Sequence, residues 1–288
     1  MADEFQLFTS LRYDPALLSD DLPRQHGWNS ERLSPFYMLD YHRDRMLRAA
    51  THWRWEKAIA AIEGPEGLAR LETFLTQKLK PQADERPMRV KVLLSQEGEL
   101  GLEYAHVPPT TLANLFPAQL PAPDNEPAEA ETPTGQLRLA TPYEVYLDDH
   151  RTQRSDYTHY KTTRRVVYDA ARLRAGLKPT DATKEVLIVE RASGSIMEGS
   201  LTTPYFWREG RWVTPPVSET FSTELGSGGQ DGTTRRWALE RGLAVEEDVK
   251  VQDVADGEAV WLSNGVRGFI FGKIRRCQSQ TGRGAKAT

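Results

Sequence analysis

The sequence predicts a mixed fold of the α/β or α+β kind, arranged as two units of unequal size. Three observations carry that expectation. Strand-type and helix-type patterns alternate between Phe5 and Val107. An acidic, proline-rich stretch follows, and short apolar strands around a few helices fill the remainder. At 288 residues the chain is long enough for two modest domains, placed at residues 1–120 and 136–288 with a linker at 121–135.

Taken in order, residues 5–13 are rich in strand formers and are closed by Asp14-Pro15. A polar loop runs to about Pro35. Between Tyr37 and Trp55 the residues Met38, Tyr41, Met46, Ala49, Ala50 and Trp53 recur at helical spacing, with Arg45 as the polar member of that face. A second helix is expected across 67–79, where Leu68, Leu71, Phe74 and Leu75 repeat. Residues 88–94 and 102–107 read as strands joined by a turn at Gly98. The stretch 117–135 has little to bury, so it reads as a linker or exposed loop. A strand at 136–140 opens the second unit, followed by a polar segment, 143–160, and a helix after Lys161. Further strands are expected at 185–189 and 249–254, around Met197, at 259–262 and at 269–274. A hairpin at 204–214 turns on Glu209-Gly210, and a glycine-rich loop, 226–232, leads into a helix, 233–243. The tail beyond Arg276 is polar and is expected to be disordered.

Composition removes several function classes. Hydrophobic residues make up 39% and charged residues 27%, an ordinary balance for a soluble globular protein. A net charge of −4 and a pI near 5.9 argue against a general nucleic-acid binder. Cys277 is the single cysteine, so no intramolecular disulfide and no cysteine zinc site can form, and the six histidines fall in no metal-ligand spacing. No secretory signal or apolar span is visible, which sets a cytoplasmic location and no membrane partner as the expectation.

The chemistry is expected around Lys161, in His-Tyr-Lys-Thr-Thr-Arg-Arg (159–165). Thr162 or Thr163 can cap the following helix, which would hold the lysine at a fixed junction. A lysine becomes a nucleophile or Schiff-base former when burial or a cationic neighbour lowers its pKa, and Arg164 and Arg165 can supply that neighbour. A plain basic helix start is the competing reading. Three other motifs bear on the choice. Ser-Gly-Gly-Gln-Asp-Gly-Thr-Thr-Arg-Arg (227–236) runs a glycine loop into a helix start, a setting for a phosphate, with Thr233 and Thr234 as added hydroxyl donors. It is neither a Walker loop nor the dinucleotide fingerprint, and a mobile surface loop remains open. Ser-Asn-Gly-Val-Arg-Gly (263–268) follows a strand, and its Asn264-Gly265 pair serves an anion or simply a tight turn. Glu198, in Met-Glu-Gly-Ser (197–200), sits on an apolar strand where an isolated carboxylate is costly to bury, so it faces solvent or a cation. An amine, a carboxylate and an anion pocket together are what pyridoxal 5'-phosphate demands of a protein. Neither Gly-x-Ser-x-Gly nor His-Glu-x-x-His occurs.

The order of these motifs resembles the class IV aminotransferase family, the fold-type IV pyridoxal phosphate enzymes. The stretch around Lys161, Trp-Val-Thr-Pro-Pro (212–216) and Ser-Asn-Gly-Val-Arg-Gly are most similar to its aminodeoxychorismate lyase branch. Phe8-Thr9-Ser10 resembles the family's N-terminal strand. His42 to Ala50 resembles its first helix, whose phosphate-binding arginine falls on Arg45. The resemblance implies two α/β domains with the active site in the cleft between them, in a homodimer. It makes Lys161 the Schiff-base lysine and proton shuttle and Glu198 the partner of the ring nitrogen. Arg45, Thr233, Thr234, Asn264 and Gly265 would surround the phosphate. Two positions depart from the family pattern. Val166 stands where transaminases often carry a tyrosine five residues beyond the lysine, and Tyr168 would point elsewhere on a helix. An asparagine often found after the glutamate is absent, with Thr203 near its place.

The implied activity is aminodeoxychorismate lyase, giving 4-aminobenzoate and pyruvate. A transaminase of the D-amino acid, branched-chain or R-amine type is the alternative, and a catalytically silent binding homologue is the third. The partner is a small-molecule amino substrate. Its carboxylates need arginine forks, for which Arg151 and Arg154, upstream of Lys161, are the candidates.

Overall fold

The computed structural model describes residues 5–18, 33–79, 86–123 and 142–276. Most of the polar loop before Pro35, all but the first three residues of the expected linker at 121–135, the expected strand at 136–140 and the tail with Cys277 lie outside the described residues.

Alternation along its central strand orients the smaller sheet. Strands β1 (Leu7–Tyr13), β2 (Met88–Leu94) and β3 (Leu100–His106) pair antiparallel in that order, Leu7 opposite Leu94 and Tyr13 opposite Met88. Along β2, Met88, Val90, Val92 and Leu94 are buried while Arg89 and Lys91 share the opposite face. Helices α1 (Leu39–His52), α2 (Glu56–Ile62) and α3 (Gly64–Leu79) cover the apolar face, packing Met46, Ala50, Ile62, Leu68, Leu71 and Leu75 against β1 and β2. The helix expected across 37–55 is therefore shorter, and α2 is a separate turn of chain set off by Arg54 at φ 55. Only glycine fits where α3 meets α2, because a Cβ on Gly67 would lie 2.1 Å from the Ile62 carbonyl carbon.

A one-turn helix, α4 (Leu112–Leu115), leads toward the second sheet, whose eight strands run β6-β5-β4-β11-β10-β7-β8-β9. These are β4 (Tyr143–Thr152), β5 (Lys184–Glu190), β6 (Ile196–Gly199), β7 (Thr203–Arg208), β8 (Arg211–Thr214), β9 (Val245–Glu246), β10 (Ala259–Asn264) and β11 (Gly268–Arg275). The helices α5 (Asp156–His159), α6 (Val166–Arg174) and α7 (Thr233–Glu240) connect them. Two expectations are corrected here. The segment expected only as polar, 143–160, begins with an inner strand, β4, parallel to both β5 and β11, with Tyr143 and Val145 buried. Its polar half, Asp149 to Arg151, projects past a register shift and is exposed. Residues 249–254 make only a 3-10 turn, Val251–Asp253, with Val249 and Val254 buried on either side as anchors. No helix among the described residues is long and apolar enough to cross a membrane.

Candidate active site

A cavity of about 380 Å³ opens where the two sheets face each other. The small sheet and its helix supply Phe8, Ser10, Arg45, Arg89 and Lys91. The larger sheet and its connections supply Lys161, Glu198, Gln230, Thr233, Thr234, Asn264, Gly265 and Arg267. The chain thus brings together the seven residues Arg45, Lys161, Glu198, Thr233, Thr234, Asn264 and Gly265, drawn from five separate stretches of sequence.

Lys161 is fixed by backbone pairing. Phe8 N–H donates to the Lys161 carbonyl at 3.2 Å, Thr163 N–H donates to the Gln6 carbonyl at 2.9 Å, and Thr162 bridges to Leu7. The expected threonine cap does not form. Helix α6 starts only at Val166 with Arg165 in the cap position, and the Thr163 hydroxyl accepts from Gln6 N–H instead. The lysine therefore precedes the helix as an extra strand segment on β1. Burial pushes its amine well below the usual lysine range, and Arg45 and Arg165 push in the same direction. Arg164 takes a different position, over the Tyr157 ring.

The anion cradle forms opposite. Arg45 donates from Nη2 to Thr9 Oγ1 at 2.7 Å, while its buried Nε has no hydrogen-bond partner among the described residues. Burial is the main cause that lowers the Arg45 pKa to about 10, so the guanidinium stays charged at neutral pH. Thr9 Oγ1 also hydrogen-bonds His42 Nδ1, 2.6 Å away, and the other ring nitrogen, Nε2, meets Thr233 Oγ1 at 3.4 Å. His42 is buried, and that burial, with Arg45 and Lys161, lowers its pKa and favours the neutral ring. Helix α7 begins at Gly232 without a side-chain cap, which leaves first-turn amides open beside Thr233 and Thr234. A Cβ on Gly265 would lie 2.5 Å from the His42 ring, so the backbone there approaches bare. Asn264 is committed to its turn: its Oδ1 accepts from Val266 and Arg267 N–H, and its Nδ2 donates to the Leu201 carbonyl. Donors outnumber acceptors throughout this end of the cavity, and they suit a phosphate.

Glu198 lies across from the amine, buried at 8% exposure on β6. Burial pushes its carboxyl up to about 7, against a hydrogen bond from Tyr168 and the charges of Lys161 and Arg165. Tyr168 is the main site residue that sequence reasoning misplaced. It points inward and its hydroxyl donates to Glu198 Oε1 at 2.6 Å, because α6 starts later than expected and rotates Tyr168 onto the buried face. Val166 is 73% exposed and takes no part.

Arg151 and Arg154 are not brought to the cavity. Arg151 is exposed on the outer end of β4, with its guanidinium beside Gly194. Arg154 turns toward Glu190 at 3.7 Å and donates to the Leu225 carbonyl at 3.0 Å. The arginines that do line the cavity beyond Arg45 are Arg89, Arg165 and Arg267. The alternation of Arg89 and Lys91 along a strand was the signal that could have found one of them. Among the described residues no carboxylate pairs with Arg89 or Arg267, and Glu198 is the single acidic side chain of the lining.

Comparison with known proteins supplies the family. The amino-transferase class IV family model matches residues 28–273. The aminodeoxychorismate lyase of Saccharomyces cerevisiae is 30% identical over 143 residues, 46% of this chain and 37% of that protein, so the match spans well under half of the curated relative. A solved structure from Mesorhizobium loti, provisionally described as an amino-acid aminotransferase, superposes with a TM-score of 0.62 at 19% identity, covering 95% of this chain and 100% of the other. A branched-chain amino acid aminotransferase structure from Thermotoga maritima, equally provisional in its description, gives 0.56 at 20% identity, with 95% and 77% covered. At these identities the two structures speak for the fold, which is fold-type IV. With the family match extending over most of its length, the chain belongs to the class IV aminotransferases, a family of pyridoxal phosphate-dependent enzymes.

Proposed function

We propose that the protein binds pyridoxal 5'-phosphate in this cavity and acts as an aminodeoxychorismate lyase, releasing 4-aminobenzoate and pyruvate. One observation carries the reading: a cavity with one depressed amine, one buried carboxylate and an unsatisfied anion cradle, lined otherwise by surplus positive charge. The similarity to the yeast lyase supports the choice of reaction. A silent binding homologue would have no use for Lys161, Glu198 and Arg45 in one cavity.

When bound, the cofactor supplies an aldehyde that links to amines and a ring that draws electron density from the neighbouring carbon. Arg45, Thr233, Thr234, the first amides of α7 and the Gly265 backbone would hold its phosphate. Glu198 would keep a proton on the ring nitrogen. Lys161, whose amine is held well below the usual lysine range by burial, Arg45 and Arg165, would be the amine to which the aldehyde links. It then acts as the base that removes the proton from the substrate carbon bearing nitrogen. In a lyase the proton taken by Lys161 would be balanced by cleavage of the ring carbon–oxygen bond, the electron pair leaving with the oxygen as enolpyruvate, which takes up a proton to become pyruvate. In a transaminase Lys161 would return the proton to the cofactor side.

The deciding experiment incubates the protein and pyridoxal phosphate with aminodeoxychorismate and, separately, with D- and L-amino acids and R-amines plus a keto acid. Formation of 4-aminobenzoate supports the lyase; keto acid formation without it assigns a transaminase. We place the activity in a homodimer of two-unit subunits divided near 121–135, and sedimentation and limited proteolysis check both points.

The unpaired arginines of the lining are suited to the two carboxylates of such a substrate. Arg267→Ala and Arg89→Ala are each expected to raise KM for aminodeoxychorismate by about 10- to 100-fold, the worth of one hydrogen bond to a charged group. The visible band of the lysine-bound cofactor should be unchanged. Unaltered KM in both variants retires these two residues as carboxylate anchors.

A further inference from the structure

We infer that Tyr168 is the positioning residue for Glu198: its hydroxyl, anchored by Gln230, donates to the carboxylate, favours its ionised form and aims it into the cavity. The purpose of that bond rests on the pyridoxal phosphate reading, because an ionised Glu198 matters only to a cationic ring held there.

The hydrogen bonds form a string: Lys161 Nζ donates to the Gln230 carbonyl oxygen, Oε1, at 3.4 Å. The Gln230 amide nitrogen must then face the other way, and it donates to the Tyr168 hydroxyl at 3.0 Å. The phenol oxygen has thereby accepted a bond and has a single proton to give. Two acceptors are in reach, Glu198 Oε1 at 2.6 Å and the Thr158 carbonyl at 3.1 Å. An ionised Glu198 takes the proton at the shorter distance. A protonated Glu198 has a proton of its own to offer, and the phenol then turns to Thr158. Tyr168 therefore satisfies both forms but binds the charged one more tightly.

The surroundings make that preference matter. Glu198 is packed among Lys161 and Arg165 on one side and receives the Gln230 backbone N–H on the other, and Arg45 reaches it from α1. Burial works against all of them, and the Tyr168 bond is the largest of the opposing contributions. Tyr168 cannot lose its proton under ordinary conditions, since burial and the charge of Glu198 push the phenol far up. It is therefore a donor at every working pH. The ring also packs against Ala171, Val186 and Met197, so a purely structural role is the competing account. Tyr168→Phe separates the two by keeping the ring and deleting the hydroxyl.

The test titrates the Glu198 side-chain carboxyl by 13C NMR in the full-length protein without cofactor, from pH 4 to 9. Glu198→Gln assigns the signal. In Tyr168→Phe the midpoint should move up by about one to two pH units, the shift expected from losing one charge-assisted hydrogen bond. Gln230→Met, which removes the anchor together with the 3.4 Å contact to Lys161 but leaves the Tyr168 hydroxyl in place, should move it the same way by less. A midpoint that stays put in the folded variants overturns the proposal. Cofactor uptake by the wild type is read alongside from its visible band. In the loaded protein Tyr168→Phe should also shift the pH at which that band changes. Wild-type protein that takes up no cofactor defeats the cofactor reading itself, whereas uptake with an unmoved midpoint defeats only the role of Tyr168.

Discussion

Lys161→Ala is expected to abolish the visible band of the linked cofactor and to cut turnover by on the order of 10²–10⁴-fold from the lost proton transfer alone. The lost covalent link adds to that. The amine is placed by its pairing to β1 and is depressed by burial, so no neighbouring lysine can take over its position. Lys91, the other lysine of the lining, is held by Glu103 at 3.0 Å. Borohydride reduction of the loaded protein followed by peptide mapping should find the adduct on Lys161 in the wild type and no adduct in the variant. A variant that keeps both band and turnover would remove Lys161 from the reaction. The cofactor-free variant should melt no lower than the wild type, because the substitution deletes a buried amine that gains little from its surroundings.

Arg45→Ala has the second largest expected effect, on affinity rather than on chemistry. Losing a charge-assisted bond to a phosphate should weaken pyridoxal phosphate binding roughly 10- to 100-fold. Pyridoxal, which lacks the phosphate, should bind the wild type and the variant alike, and that comparison checks the assignment. Arg45→Lys should restore only part of the affinity. An ammonium cannot reach the Thr9 hydroxyl and the anion with the same planar fork. Equal loss for both ligands would mean that Arg45 holds the fold of the cavity rather than the phosphate.

The site was legible in the sequence where chemistry demands an unusual residue beside a turn. Lys161, Glu198 and the glycine loop before Thr233 stand out for that reason, and the structure draws them together. Tyr168 was missed because the helix was started too early. Threonine caps at 162 or 163 would put Tyr168 on another face, and the pairing of that segment to β1 delays the helix to Val166. Strand pairing over a long sequence separation cannot be read from local propensity. The same cause hid β4, whose alternation through Tyr143, Val145 and Leu147 is cut short by the buried Asp148, paired with Arg174, and then by the exposed Asp149, His150 and Arg151. Arg151 and Arg154 are near Lys161 in sequence, yet the end of β4 and the segment after it carry them outward. Arg89 and Arg267 lie 72 and 106 residues from Lys161 and reach the cavity through the fold alone.

Strand β1 carries Thr9 toward the anion cradle and, one residue earlier, pairs by the Phe8 amide with the carbonyl of Lys161. Nucleophile and anchor thus share a single ruler. A slip of one residue along β2 would flip Thr9 to the wrong side and drag the amine with it. Lesions anywhere along that strand pair should consequently be pleiotropic, eroding coenzyme retention and catalytic competence in step.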